Sequence, residues 1–361
     1  MSMRAELLDW YDAHGRSLPW RETSDPYAIW VSEVMCQQTR VDTAIPYYHR
    51  FLERFPTAQA LADASEDDVL AAWSGLGYYR RARMLHAGVK EMVASYGGEL
   101  PRDPAARLAL PGVGRYTAGA LGSIAFGLPE PIVDGNVARV LSRVFRIETM
   151  LGKAATEKAL WAHAEELVQG PRPGDFNQAL MELGALVCTP KSPSCGACPW
   201  AERCEAREAG IQETLPVPRK KKKPTEVSLT AVVATRGRGA AREVFLTKRE
   251  EGELFAGLWM VPMVESPPTQ LELGERGASS GGDEALRCLH EHGLRATIGD
   301  RCGSVIHVLS HRRYSVQVYR ATAAKAAAKS AVTRHRIDAL AELGVARLTE
   351  KIVDAALPGE R

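Results

Sequence analysis

At roughly 150 residues per domain, a chain of 361 residues has room for two domains and little else. A composition of 45% hydrophobic and 25% charged residues with a formal net charge of +2 excludes wholesale disorder and a histone-like global field, so affinity for nucleic acid has to come from local basic patches. The opening MSMRAELLDWYDAHGRSLPW has no apolar core of signal-peptide length, and no window of about 18 uninterrupted apolar residues follows, which points away from secretion and membrane insertion.

From Met1 to about Arg207 apolar residues recur at spacings of three and four, broken by Pro and Gly, which predicts an all-α region. Asp25-Pro26 reads as a helix start, with the polar side chain capping free amides and Pro at the first helical position. The run Trp30, Val34, Gln37, Val41 continues with a four-residue step and places Glu33 and Gln37 a turn apart on one face. Gly75-Leu76-Gly77-Tyr78-Tyr79 is a turn carrying aromatics, followed by Arg80, Arg81 and Arg83; it suits a wedge with phosphate contacts, or two partly buried core tyrosines. In Leu110 to Ala118, Gly112 and Gly114 form a tight turn that opens an apolar helix. Such a turn can hold a phosphate on its backbone amides, or be a plain packing bend. Asp134-Gly135-Asn136 follows, with Asp134 also suited to cap a helix beginning near Val137.

Four of the seven cysteines, Cys188, Cys195, Cys198 and Cys204, stand as C-x6-C-x2-C-x5-C within seventeen residues. Four thiolates so spaced can wrap one centre, and both zinc and [4Fe–4S] fit. Cys36, Cys288 and Cys302 read as ordinary packed cysteines. Residues 206–225, with Leu-Pro-Val-Pro, Arg219 and four lysines, read as a stiff basic connector that is either solvated or tracks DNA. Beyond it, alternating runs at 227–234, 244–247 and 314–319 and a helical stretch near 284–292 predict a mixed α+β domain over 226–361. The Pro-, Gly- and Ser-rich 265–283 reads as a loop, and the alanine-rich 321–329 carries little information.

LPGVGRYTAGA, VDGNVARVLSR and the four-cysteine loop together resemble the helix–hairpin–helix DNA glycosylases that carry an iron–sulfur cluster. LPWR at 18–21, WVSEVMCQQT at 30–39 and GLGYYRRAR at 75–83 narrow the resemblance to the MutY-type adenine DNA glycosylases. The resemblance implies an all-α catalytic region over 1–205 with its hairpin at about 108–136 and the cluster loop at 188–204. It also favours [4Fe–4S] over zinc. It implies a base-excision enzyme, a monomer of the bacterial cytoplasm, associated with the nucleoid when bound to double-stranded DNA containing 8-oxoguanine:adenine or guanine:adenine mispairs. Protein partners are not legible.

Cleaving an N-glycosidic bond calls for an acid to protonate the leaving base and a carboxylate to stabilise the oxocarbenium-like sugar. By resemblance Glu33 protonates N7 of adenine and then activates water, Asp134 sits against the sugar, and Asn136 and Tyr116 arrange the site by hydrogen bonds. Bifunctional, endonuclease III-like relatives carry a lysine nucleophile where this chain has Tyr116, and some carry one where it has Ala138. A phenol forms no imine, so base removal without efficient strand cleavage is expected. Tyr78 would be the wedge, Gln37 and Gln38 would lie near the base stack, and Gly112, Gly114, Arg80 and Arg83 would contact the backbone.

The C-terminal region resembles the MutT/Nudix-like domain by which the family recognises 8-oxoguanine, on Gly257 to Pro262 and Val308 to His311. Leu309, Ser310 and His311 occupy the place of a Phe-Ser-His triplet, Leu309 replacing the aromatic. A Nudix hydrolase needs a glutamate-rich helix for magnesium, and Arg287 and His290 stand where acidic ligands belong. Three other readings oppose adenine removal: an endonuclease III-like pyrimidine glycosylase/lyase, a non-catalytic iron–sulfur DNA-binding module, and a nucleotide pyrophosphohydrolase.

Overall fold

The computed structural model describes residues 2–219, 223–266 and 281–359. Helices run in the order α1 (Met3–His14), α2 (Pro26–Cys36), α3 (Val41–Arg54), α4 (Ala58–Asp63), α5 (Glu66–Ala72), α6 (Arg80–Tyr96), α7 (Pro104–Ala109), α8 (Arg115–Ala120), α9 (Gly135–Val144), α10 (Ala154–Val168), α11 (Pro173–Leu186) and α12 (Glu205–Glu208). Strands β1 (Thr225–Arg236), β2 (Glu243–Lys248), β3 (Trp259–Met260) and β4 (Met263–Glu265) follow, then α13 (Gly281–Glu291), β5 (Leu294–Val308), β6 (Arg312–Ala326), β7 (Val332–Arg336) and α14 (Arg347–Ala356). Among the described residues no helix is long and apolar enough to cross a membrane.

The chain divides into two compact units, one of 1–63 and 84–221, the other of 64–83 and 222–361. In the first, the apolar faces of α1, α9, α10 and α11 bury Leu7, Leu141, Leu160, Phe176 and Leu180 around Trp200, whose indole N–H donates to the Met3 carbonyl. The hairpin is α7, a glycine turn and α8, which runs on into a single π turn over 121–125. Buried Arg107 ties it together, donating to Pro101, Arg102 and Ala118 carbonyls and to Glu130.

Residues 206–217, expected to be connector, belong to the first unit's packing. Ala206 and Leu215 are buried, Val217 accepts from the Leu151 amide and Leu215 from Arg143. The reason is that this stretch supplies apolar side chains and carbonyls to buried partners, which its Pro content concealed. Lys220–Lys222 of the basic run lie outside the described residues.

The second unit holds a mixed sheet in the order β3-β2-β1-β6-β5, with β4 also on β1 and β7 on β2. β1 and β6 are parallel from Thr225↔Arg312 to Ala234↔Ala321, while β5 and β6 form a long antiparallel hairpin closed at Val308↔Arg313. The alanine-rich 321–326 is part of β6. Ala321 and Ala324 are fully buried among Cys288 and Leu289 of α13, small side chains where sheet and helix meet. Cys302 is exposed on edge strand β5, Cys36 is half-buried and only Cys288 is fully packed, so the expectation of packed cysteines holds for one of three. Of the loop expected at 265–283, residues 267–280 lie outside the described residues.

Candidate active site

Helix α2 starts where the cap predicts: the Asp25 side chain accepts from the Tyr27 amide at 3.0 Å and Pro26 takes the first position. It ends earlier than the four-residue step predicts. Gln37 is extended (φ −60°, ψ 112°) and Gln38 left-handed (φ 58°), so Gln37 and Val41 do not continue the face of Glu33. The turn leaves Gln37 half-buried and Gln38 exposed.

Glu33, 9% exposed, faces the hairpin, where the Tyr116 hydroxyl donates to its Oε2 at 2.7 Å and lies 3.2 Å from the Met181 sulfur of α11. Tyr116 reaches it because the chain turns sharply at Gly112 (φ 77°), where a Cβ would stand 2.6 Å from the Met84 Cβ, and α8 starts just after Gly114. Asp134 caps α9, its Oδ1 accepting from the Val137 amide at 2.7 Å and its Oδ2 from Asn136 Nδ2 at 3.1 Å. Asn136 in turn accepts from Arg139 at 2.9 Å, and Arg139 donates to the Cys188 and Gly184 carbonyls at 2.7 Å each. The structure thus gathers the four expected residues of the chemistry.

Burial pushes the Glu33 carboxyl up to about 7, with the charge of Asp134 adding to it and the Tyr116 hydrogen bond and Arg21 opposing. Asp134 is also raised by burial, against the hydrogen bonds from Val137 and Asn136 that favour its anion. Tyr116 is held well above the usual phenol range by burial and the two carboxylates, so it stays a donor.

Three residues of α11, Gln178, Met181 and Glu182, escaped the sequence reading. Buried Glu182 of α11 binds Arg16 (Nε, 2.7 Å; Nη2, 2.8 Å) and Arg21 (Nη2, 3.0 Å), and Arg21 Nε donates to Gln178 at 3.1 Å. The arginines and the Arg16 amide hold the Glu182 carboxyl down at about 2 despite burial. Gln178, Met181 and Glu182 share a face at helical spacing, the one available signal, but their partners are distant in sequence.

All four cysteines of the predicted set line a single cavity with Val140, Val144, Leu183 and Arg143. Arg143, 1% exposed, donates to the Cys188 sulfur at 3.3 Å and to the Thr189, Pro190 and Leu215 carbonyls. Burial, with the other sulfurs nearby, pushes the Cys198 thiol up to about 11. Four sulfurs around an apolar cavity beside a buried guanidinium fit an anionic iron–sulfur group, whose sulfurs accept such hydrogen bonds. Among the described residues no group of three or more His, Cys, Asp or Glu gathers to hold a single ion.

In the second unit Tyr78 is 54% exposed at φ 50°, so it is not a core tyrosine, and Arg80 is exposed beside it. Arg83 pairs instead with Glu66 (3.2 Å) and Glu251 (3.6 Å), and Arg81 is spent on the turn's own carbonyls. Leu309, Ser310 and His311 form the tip of the β5–β6 hairpin, Leu309 half-buried and the other two exposed. On α13, Arg287 bridges Glu284 (2.6 Å) and Glu291 (3.2 Å), a cation seated among the acidic side chains.

Comparison with known proteins places these features. Residues 31–166 match the HhH-GPD superfamily base excision DNA repair proteins, 188–204 the iron–sulfur binding domain of endonuclease III, and 231–355 the NUDIX domain. The human adenine DNA glycosylase is 39% identical over 88% of this chain and 66% of its own length. The mouse adenine DNA glycosylase is 39% identical over 88% of this chain and 70% of its own. The chain belongs to the adenine DNA glycosylase family. Its members are DNA N-glycosylases, and the helical hairpin, iron–sulfur segment and Nudix-like sheet of this adenine DNA glycosylase homologue are those the resemblance implied. A thermostable thymine-DNA glycosylase superposes with a TM-score of 0.52 at 31% identity, over 57% of this chain and 95% of that one.

Proposed function

We propose that the protein hydrolyses the N-glycosidic bond of adenine mispaired with 8-oxoguanine or guanine, without efficient strand cleavage. The observation that carries this is Glu33, a buried carboxyl held near neutrality with Asp134 beside it. Protonated Glu33 gives its proton to adenine N7, the C1′–N9 bond breaks with its electron pair leaving on the base, and Asp134 offsets the positive charge on the sugar. Glu33, now an anion, takes a proton from water as its oxygen bonds C1′. Tyr116 holds the carboxyl by a hydrogen bond, and Asn136 orients Asp134. A raised carboxyl acting as acid beside a second carboxylate is the arrangement by which glycosidases divide the two tasks.

The cysteines at 188, 195, 198 and 204 would hold a [4Fe–4S] cluster, which when bound cross-links the loop they span. Double-stranded DNA would meet the Gly112 and Gly114 turn, Gln37, Gln38, Tyr78 and Arg80, with Leu309, Ser310 and His311 reading the oxidised base. Arg83 has that role only by exchanging its carboxylate partners for phosphate. Base extrusion costs a few kcal/mol, which gives Tyr78 a purpose as the wedge that fills the gap. Magnesium-dependent nucleotide hydrolysis is not proposed, because Arg287 occupies the acidic face of α13.

The test is single-turnover release from duplexes containing 8-oxoguanine:A, guanine:A and thymine glycol:A, each sample split between direct analysis and hot alkali. Adenine loss from the first two, with strand breaks mainly after alkali, is expected. Thymine glycol excision with immediate breaks would instead make it a pyrimidine glycosylase/lyase.

A further inference from the structure

Residues 64–83 belong to the same compact unit as 222–361, and helix α5 is packed there so closely that glycine is required opposite it. A Cβ at Gly344 would stand 2.9 Å from the Leu70 Cβ, and one at Gly257 (φ 78°) 2.8 Å from Glu66 Oε1. Past α5 the chain turns through Gly75 (φ 93°), Gly77 (φ 75°) and Tyr78 (φ 50°). A bulky residue in the left-handed region is strained, and such strain persists only where the surroundings impose it.

Several contacts within this unit hold the turn. The Trp73 indole donates to the Gly77 carbonyl at 3.2 Å, and Arg81 Nη2 donates to Leu76 and Gly77 carbonyls at 3.2 and 3.0 Å. The Arg81 guanidinium lies over the Trp73 and Tyr78 rings, 5.5 and 5.6 Å from their centroids. These contacts are local to the turn. Tyr79 reaches further: its hydroxyl donates to the Val345 carbonyl at 2.9 Å, and lies 3.4 Å from the Gly75 amide and 3.5 Å from Ser74 Oγ. Val345, 1% exposed, bridges Trp259 of β3, whose amide donates to Gly344 at 2.9 Å. The phenol thus links the turn directly to the segment that pairs with β3.

We propose that Tyr79 is a positioning residue, its hydroxyl bond to Val345 fixing the strained Tyr78 turn to the Nudix-like fold. One compact unit then presents both the Tyr78 side chain and the hairpin tip Leu309–His311, while Glu33 and Asp134 belong to the other unit. Opening of the base stack becomes coupled to contacts made by 222–361. The inference rests on the reading of Tyr78 as the wedge.

The test uses the full chain with its cluster bound, and a duplex carrying 2-aminopurine beside a non-hydrolysable adenine analogue opposite 8-oxoguanine, so that no cleavage is needed. The rise in emission on binding reports unstacking. Tyr78→Ala sets the scale for loss of the wedge. Tyr79→Phe, which removes a single hydroxyl and leaves a buried carbonyl without its donor, is expected to cut the rise about three- to tenfold. The double variant is expected to lose no more than Tyr78→Ala alone, as two residues acting in one unit are non-additive. Gly344→Ala, which displaces the same segment without touching the phenol, is expected to give a partial loss, with the circular dichroism of all variants native. If Tyr79→Phe matches wild type, or adds its full effect to Tyr78→Ala, the inference is overturned while the wedge stands. If Tyr78→Ala itself keeps full emission, the wedge reading falls and the inference with it.

Discussion

A water-exposed glutamate is ionised at neutral pH, whereas the buried Glu33 carboxyl, pushed up to about 7 beside Asp134, carries a proton in a sizeable fraction of molecules there. Tyr116 works against this by donating to the anion. Tyr116→Phe should therefore raise the Glu33 carboxyl further and move the falling limb of the single-turnover pH profile to higher pH; a limb that stays put would remove Tyr116 from this control. Because the folded protein holds the Glu33 proton more tightly than the unfolded chain, this group's stabilising share is full below about 4.5 and is lost as pH rises through about 7. Glu182 has the opposite sign: depressed to about 2, it contributes above its ordinary range, and that share is lost as pH falls toward about 2. Glu182→Ala leaves Arg16 and Arg21 without their shared carboxylate and should cost roughly 3 kcal/mol in urea unfolding, the scale of breaking a buried pair. A cost under about 0.5 kcal/mol, the range of surface substitutions, would contradict that placement.

Among the elements, the hairpin depends on one backbone angle. Gly112→Ala combines an unfavourable φ of 77° with a Cβ 2.6 Å from Met84, and should destabilise by about 2 kcal/mol and weaken binding to duplex of any sequence. Thermal melting and fluorescence anisotropy would check it. This element was legible because its glycines and the Asp134 cap are local signals, whereas the place of Tyr116 came from the resemblance. The end of α2 was not: Gln37 and Gln38 fit a continuing helix, and only their backbone angles break it. Residues 206–217 were misread because prolines suggest a connector, while the burial of Leu215 and its carbonyl's bond to Arg143 depend on a helix far away in sequence. The cysteine loop was legible as a four-ligand set from spacing alone, though the choice of group needed the resemblance. Cys198→Ser should lower bound iron and speed amide exchange across 188–217, a readout independent of activity; unchanged exchange would mean that the loop folds without its cluster.

The two units do not follow sequence order. The proposed catalytic residues and the four cysteines fall in one, and the exposed Tyr78, the hairpin tip and the Nudix-like sheet fall in the other. Segment 64–83 joins the second because α5 fits against Gly257 and Gly344, long-range contacts with no local pattern. The role of Glu33 is tested most directly by the pH dependence of single-turnover adenine release from an 8-oxoguanine:A duplex, for wild type and Glu33→Gln, with duplex affinity measured alongside. The rate should fall about tenfold per unit well above pH 7, and Glu33→Gln should release no adenine while retaining binding. Near-normal release by Glu33→Gln, or a rate that keeps rising through pH 8 to 9, would contradict that role.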